Sequence, residues 1–308
     1  MAAPNASFTE GFIPLVIDDE EHKTYYKLFG TITEDSRPLI ALHGGPGMAH
    51  DYMLPISDLS LPGPHSRPVL FYDQIGNGRS SHFKDKPREF FTVDLFVNEL
   101  LNVLKHFKIT KYDIVGHSWG GMLAAEFEIR VQPEGLKSII FSNSLTATAL
   151  WGQSQMKLVS QLPDSKDVMQ LLGAGFGDPA KYRSGLEILH ASHGCLVRPI
   201  PKELTYSVLD TIFGDKETGQ GGDPTVTINM FTSALNGWNI SDKLDKVRVP
   251  SLVINGRKDL AQDFVTADYF WKIKKSKWVT FENSSHVPMW EEREKYIQLV
   301  GEWLDSVQ

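Results

Sequence analysis

The chain has one cysteine, Cys195, among 308 residues. A lone thiol closes no intramolecular disulfide and makes no thiolate zinc site, so a reducing compartment is expected. Any block of basic residues is also missing: 38 acidic side chains outnumber 31 Lys and Arg, for a formal charge of -7. Nucleic-acid backbones and anionic membrane surfaces select clustered Lys and Arg, so neither is expected as a partner. No stretch reaches the roughly 18 uninterrupted apolar residues of a membrane span. The first ten residues have neither the basic start nor the apolar run of a secretion signal, and a cytoplasmic protein is expected. Internal repeats and low-complexity tracts are absent too. What is present is globular: 41% hydrophobic and 22% charged residues are enough to bury a full core, and 25 Gly with 17 Pro imply many turns.

Short apolar runs alternate with longer helical patterns, which is how strands and crossover helices of a mostly parallel sheet read in sequence. Segments 12–17 and 24–30 read as an antiparallel opening. Segments 38–42, 68–72, 112–115, 138–142, 251–254 and 278–281 read as buried strands. Helical spacing of apolar residues marks 93–107, where Leu95, Phe96, Leu100, Leu101 and Leu104 recur on one face, and also 121–131 and 295–307. Between 145 and 238 the strand rhythm stops and helix-like stretches take over. The expected organisation is a core of residues 1–144 and 239–308 with a helical lid, residues 145–238, inserted after the sixth strand. Such a lid lies over the sheet's C-terminal edge, where open α/β folds bind ligands.

Gly116-His-Ser-Trp-Gly120 is a G-x-S-x-G pattern set between an apolar strand and a helix of small residues. A sharp strand-to-helix turn needs glycine on both sides of the serine, and it pushes the hydroxyl of Ser118 out as a nucleophile. His117 is expected to point away from that hydroxyl and to serve packing or loop contacts. A serine hydroxyl needs a general base and a group that fixes the base's tautomer, in the chain order Ser, acid, His. Asp259 follows the strand 251–254 and His286 follows the strand 278–281, both on the edge that carries Ser118. Asp263, four residues beyond Asp259, is the alternative acid. His43-Gly-Gly-Pro-Gly47 follows the strand 38–42, so the N–H groups of Gly45 and Trp119 are the expected oxyanion donors, with Gly44 beside the substrate.

Asp73-Gln-Ile-Gly-Asn-Gly-Arg-Ser80 lacks both the Gly-Lys-Ser/Thr and the full G-x-G-x-x-G spacing of phosphate loops, and reads as a turn bordering the pocket. Cys195 reads as a packed small hydrophobe rather than a nucleophile. Trp151 and Trp238, near the two ends of the lid, either line the pocket or pack. The fold expected from these motifs is the α/β-hydrolase fold, with no metal or cofactor.

Taken in order, the His43–Gly47 loop, Phe71-Tyr-Asp-Gln74 with Gly76–Ser80, Gly116–Met122, Pro250–Asp259 and Glu282–His286 resemble the proline iminopeptidase family and its L-amino acid amidase relatives. Glu10–Pro14, Lys23–Tyr26 and His193-Gly-Cys195 with Pro199 resemble the amidase branch. The resemblance implies removal of an N-terminal residue, often proline, or hydrolysis of an amino acid amide, from a small-molecule or short peptide substrate. Family members carry a Gly-Pro-x-Glu-Phe stretch before a Trp-Asp pair, and lid carboxylates there hold the substrate's ammonium group. Here the matching stretch reads Pro224-Thr-Val-Thr-Ile-Asn229 before Trp238-Asn239, without an acid. Burying an ammonium without a carboxylate costs several kcal/mol. Glu187 is therefore the expected substitute acid, and an esterase, thioesterase or lactonase acting on a less polar acyl group is the alternative reading.

Overall fold

A computed structural model describes residues 7–307. Its eight strands are β1 (Phe8–Ile17), β2 (Glu20–Phe29), β3 (Leu39–Leu42), β4 (Val69–Tyr72), β5 (Tyr112–His117), β6 (Leu136–Ser142), β7 (Ser251–Gly256) and β8 (Ser276–Phe281). They form one sheet in the order β1-β2-β4-β3-β5-β6-β7-β8. β1 pairs antiparallel with β2 and β2 with β4, while every later pairing is parallel. Burial explains the sequence pattern. β3, β4, β5 and β7 are buried at every position because helices cover both faces, so they read as continuous apolar runs. β1 lies at one edge and alternates between buried and exposed residues near its end, as one covered face requires.

β1 and β2 extend to Phe8 and Glu20, earlier than the expected 12 and 24. The added residues are largely polar and exposed, and only their cross-strand partners make them strands, as in the Phe8 to Phe29 and Ile17 to Glu20 pairs. A 3-10 helix, His50–Ser60, carries Pro55 inside it and shows no helical periodicity in sequence. Helix α1 (Val93–His106) starts at the Thr92 side chain, which accepts the Leu95 N–H, and it buries Phe96, Val97, Leu100, Val103 and Leu104. α2 (Trp119–Val131) follows β5 and is buried almost throughout.

After β6 the chain leaves the sheet. α3 (Thr148–Ser160), α4 (Ser165–Gly173), α5 (Pro179–His193), α6 (Lys202–Thr205), a π turn (Tyr206–Asp210), α7 (Thr211–Phe213) and α8 (Thr225–Thr232) follow without a strand. An antiparallel bridge between Ala147 and Asn239 closes this excursion at its base. α9 (Asp263–Lys272), α10 (Pro288–Glu291) and α11 (Arg293–Ser306) complete the core. Among the described residues no helix is long and apolar enough to cross a membrane.

Among the described residues, one ion pair ties the helical excursion to the core. His82 Nδ1 lies 2.6 Å from Asp223, just ahead of α8. The hydrogen bond to Asp223 raises the His82 pKa. Burial alone would raise Asp223, but the bonds from His82 and Thr225 outweigh it and hold it at about 2. The His82 contribution is complete below the unfolded histidine pKa of about 6.5 and is lost as pH rises through the raised folded value. The Asp223 contribution is complete above about 3.9 and is lost only as pH falls toward its folded value. The melting temperatures of the native protein and an Asp223→Asn variant are therefore expected to differ most at about pH 5–6 and to draw closer above about pH 8, where only the carboxylate's bonds from Thr225 remain. Calorimetry across this range checks it, and a gap that stays constant through pH 9 rules the pair out as its source.

Candidate active site

Strand β5 ends at His117 and helix α2 begins at Trp119, so Ser118 alone must turn the chain. Its backbone sits at φ 52° and ψ -119°, a conformation that costs a non-glycine residue about 1–3 kcal/mol. The turn closes only over glycine: a Cβ on Gly116 would meet the Gly120 carbonyl, and one on Gly120 would meet the Leu42 carbonyl. The backbone of Ser118 is fixed by its N–H, which donates to the Ser142 carbonyl at 3.0 Å, and by its own carbonyl, which accepts from Ser144 Oγ at 2.8 Å. Trp119 is the first residue of α2, a position whose N–H has no intrahelical acceptor.

The loop after β8 brings His286 to the loop after β7. His286 Nδ1 donates to Asp259 Oδ1 at 2.6 Å, and Asp259 is almost fully buried. The same carboxylate accepts the Ala261 N–H at 2.8 Å and the Asn143 side-chain amide at 2.6 Å. These bonds fix the carboxylate's orientation and, through Nδ1, the imidazole tautomer that leaves Nε2 free to accept. Asp263 lies elsewhere: it is exposed at the surface, bound by Asn255 at 2.7 Å and Arg257 at 3.3 Å.

A second network joins the base loop to the His43–Gly47 loop. Gly44 N–H donates to the Tyr52 hydroxyl at 2.7 Å, that hydroxyl donates to His117 Nδ1 at 2.8 Å, and His117 Nε2 donates to the His286 carbonyl at 2.7 Å. His117 must be neutral to accept on one nitrogen and donate on the other. Burial first, then the nearby His286, push its pKa well below the usual histidine range. Behind the loop, His43 accepts the Gln74 N–H at 2.9 Å and Gln74 accepts the Trp119 indole N–H at 2.7 Å. Residues 73–80 therefore brace the glycine loop from behind instead of lining the pocket.

Tyr52→Phe removes one buried hydroxyl and strands the Gly44 N–H and His117 Nδ1. Each buried orphan costs about 1–3 kcal/mol. We expect a fall in unfolding free energy of that order and about a tenfold loss in kcat, read from urea unfolding and steady-state rates. Unchanged kcat would detach this network from the chemistry.

The sheet edge and the helical excursion enclose a cavity of about 1100 Å³, its open mouth included, which is room for the groups on both sides of a scissile bond. Ser118, His286 and Gly45 lie on its floor side. Three of the overlying helices line it with stripes at helical spacing: Thr148, Trp151 and Gln155 from α3, Tyr182, Leu186 and His190 from α5, Thr227 and Phe231 from α8. The Trp151 ring lies 5.6 Å from the His286 ring. Thr227 also donates to the Pro46 carbonyl at 2.8 Å, so α8 rests on the glycine loop.

Three of the four candidate substrate residues do not line the cavity. Glu187 points out of the cavity, bound by Arg183 at 3.1 Å and Lys216 at 2.7 Å; burial is outweighed by those two cations, and its pKa is lowered. Helical spacing placed its neighbours Leu186 and His190 inward, and position 187 falls on the next face. Trp238 donates its indole N–H to Glu126 at 2.7 Å and packs on the core. Gly44 supports the loop through Tyr52 but does not line the cavity, whereas Trp151 does. Cys195 is buried, and burial pushes its thiol up to about 11, leaving it unreactive.

Sequence reasoning missed Tyr52, Asn143, Gln155 and His190. Asn143 carried a signal, since it directly follows β6 and sits at φ 53°, a backbone region where asparagine is enriched. The others act through tertiary contacts alone. One acid-rich cluster, His50, Asp51 and Asp73, has metal-ligand chemistry, but Arg79 already fills the cation's place with two 2.8 Å bonds to Asp51.

Known proteins are similar to this chain along nearly its whole length. The family model for the alpha/beta hydrolase fold matches residues 37–293. A proline iminopeptidase of Clostridioides difficile (strain 630) is 33% identical, the alignment covering 97% of this chain and 98% of the relative. Among solved structures, VinJ is 29% identical with a TM-score of 0.82, covering 97% of this chain and 99% of that one. The proline iminopeptidase of Mycobacterium smegmatis is 30% identical with a TM-score of 0.77, covering 97% and 98%. On these full-length matches the chain belongs to the α/β-hydrolase fold family, in its proline iminopeptidase branch, and is a serine hydrolase.

Proposed function

We propose that the protein removes a small residue, of which proline is the type case, from the N-terminus of a short peptide or amide through an acyl-enzyme on Ser118. The observation that carries this reading is the Asp259 to His286 pair, 2.6 Å apart, opening into the same cavity as Ser118. Ser118 Oγ attacks the carbonyl carbon while His286 Nε2 takes its proton. The N–H groups of Gly45 and Trp119 hold the developing oxyanion, a contribution of about 3 kcal/mol per donor. The C–N bond then breaks and His286 returns the proton to the departing amine. Water attacks the acyl ester, again giving a proton to His286, and the acid leaves as Ser118 regains its own. Residues 145–238 act as the lid that sets which acyl group enters. The buried, unreactive Cys195 and the absence of other thiols agree with a cytoplasmic location.

A second reading, esterase or thioesterase action on a neutral acyl group, draws support from the cavity wall, where none of the described lining residues is a carboxylate. Comparing kcat/KM on L-prolyl and L-alanyl arylamides, their N-acetyl forms and a neutral aryl ester separates the two. The aminopeptidase reading expects release from the free-amine arylamides and little from the acetylated ones. Turnover of the ester alone would replace it with the second reading.

A further inference from the structure

The polar side chains that the lid presents to the cavity are Thr148, Gln155, Tyr182, His190 and Thr227, all uncharged at neutral pH. Resting on the aminopeptidase reading above, we propose that the pocket holds the substrate's α-nitrogen as the free base, with the His190 ring as its hydrogen-bond acceptor and Gln155 beside it. This makes His190 a specificity-determining residue of the lid.

His190 occupies the cavity-facing stripe of α5, two turns beyond Tyr182 and one beyond Leu186. Its backbone is fixed, since its carbonyl accepts the N–H groups of Gly194 and Cys195, both at 2.9 Å. Its ring enters no hydrogen bond with another described residue, so its nitrogens are available to a ligand. Gln155 approaches from α3, one turn from Trp151, whose ring borders His286. The Gln155 amide and the His190 imidazole thus line, from different helices, the same cavity as Ser118, with His286 near His190.

The charge state of the ring follows from its surroundings. Burial, and secondly the nearby His286, push His190 down to about 4. The titratable groups that share the cavity with it are Tyr52, His117, Tyr182 and His286. Of the elements packed on α5, α4 turns Val168 inward and leaves its charges, Lys166 and Asp167, exposed, while α7 and the Gly175–Gly177 turn carry no charge. Glu187, on α5 itself, is spent on Arg183 and Lys216. A neutral imidazole offers one acceptor nitrogen and no negative charge.

Magnitudes then decide which form of the amine binds. An α-amino group with a pKa near 8 is about one-tenth deprotonated at pH 7, so selecting the free base costs about tenfold in affinity. An ammonium brought into this wall would give up its hydration for dipoles alone, a loss of roughly two or more powers of ten. The free base is the cheaper ligand.

The test is inhibition by L-prolinamide of the hydrolysis of an aryl cyclopentanecarboxylate ester, with Ki divided by the ester's KM so that titration of the shared catalytic groups cancels. Over pH 6 to 9 the native ratio is expected to fall about tenfold per unit until the amine is deprotonated, then to level. His190→Phe should raise the plateau ratio more than about tenfold, His190→Gln should restore most of it, and His190→Glu should tighten binding at pH 6 and flatten the slope. A native ratio that is flat or rises with pH, or equal ratios for the native and Phe variants, overturns the proposal. This readout needs no cleavage of an amide, so failure of the aminopeptidase reading appears separately, as no release from prolyl arylamide at any pH.

Discussion

Replacing Ser118 by alanine is expected to lower kcat by about a millionfold while leaving the protein folded. The backbone bonds that hold residue 118 run through its N–H and carbonyl to Ser142, Gly121 and Ser144, and none uses the hydroxyl. Alanine meets the same strain at φ 52° as serine does, so the turn has no new reason to relax. Losing Oγ removes the atom that forms the acyl-enzyme, and water held in its place is a far weaker nucleophile. What survives is the catalysis that oxyanion donors and substrate binding give by themselves, about 10³–10⁴ over the uncatalysed rate. Fluorophosphonate labelling followed by peptide mass spectrometry checks the assignment directly. A label on any residue other than Ser118, or an alanine variant that retains more than about one hundredth of the activity, would end it.

Asp259→Asn is expected to lower kcat by about 10⁴-fold. The carboxylate accepts His286 Nδ1–H at 2.6 Å, which leaves Nε2 unprotonated and able to take the serine's proton. An asparagine amide turned toward the ring would donate, forcing the opposite tautomer. Turned the other way it would set its NH2 group against the Asn143 amide, which now donates at 2.6 Å to Asp259. Either orientation loses a charge-assisted bond in a buried site. The matched control is Asp263→Asn, expected to stay within about twofold because that carboxylate sits at the surface on Arg257. Steady-state rates on an activated ester read both. Activity of the Asp259 variant within tenfold of the native protein, or an equal loss at Asp263, moves the orienting role to another residue.

These two expectations rest on positions legible in the chain before any coordinates, and the physical reason is local. A serine between glycines after an apolar strand is forced into one turn geometry, whatever the rest of the chain does. Asp259 and His286 were legible because each follows a short apolar run, and strands of a parallel sheet all end on the same edge. Glu187 shows the limit of such reasoning. An acid on a helix of this excursion is easy to find by eye, yet its side depends on the helix's rotation about its axis. Here Lys216 and Arg183 hold it away from the cavity. Trp238, open in the sequence between lining the pocket and packing, packs for the same kind of reason, since Glu126 on α2 claims its indole N–H across 112 residues.

The sequence by itself determined the sheet's buried strands, the elbow at Ser118 and the order of the three side chains proposed for the chemistry, because each depends on residues near one another along the chain. Tertiary structure decided the rest. It placed Tyr52, from an aperiodic 3-10 helix, between Gly44 and His117, and it set the Asn143 amide on the Asp259 carboxylate. It also turned His190 and Gln155 into the cavity and Glu187 out of it. Those outcomes depend on which faces of distant helices meet, and contacts between residues far apart in sequence leave no periodic trace in either segment.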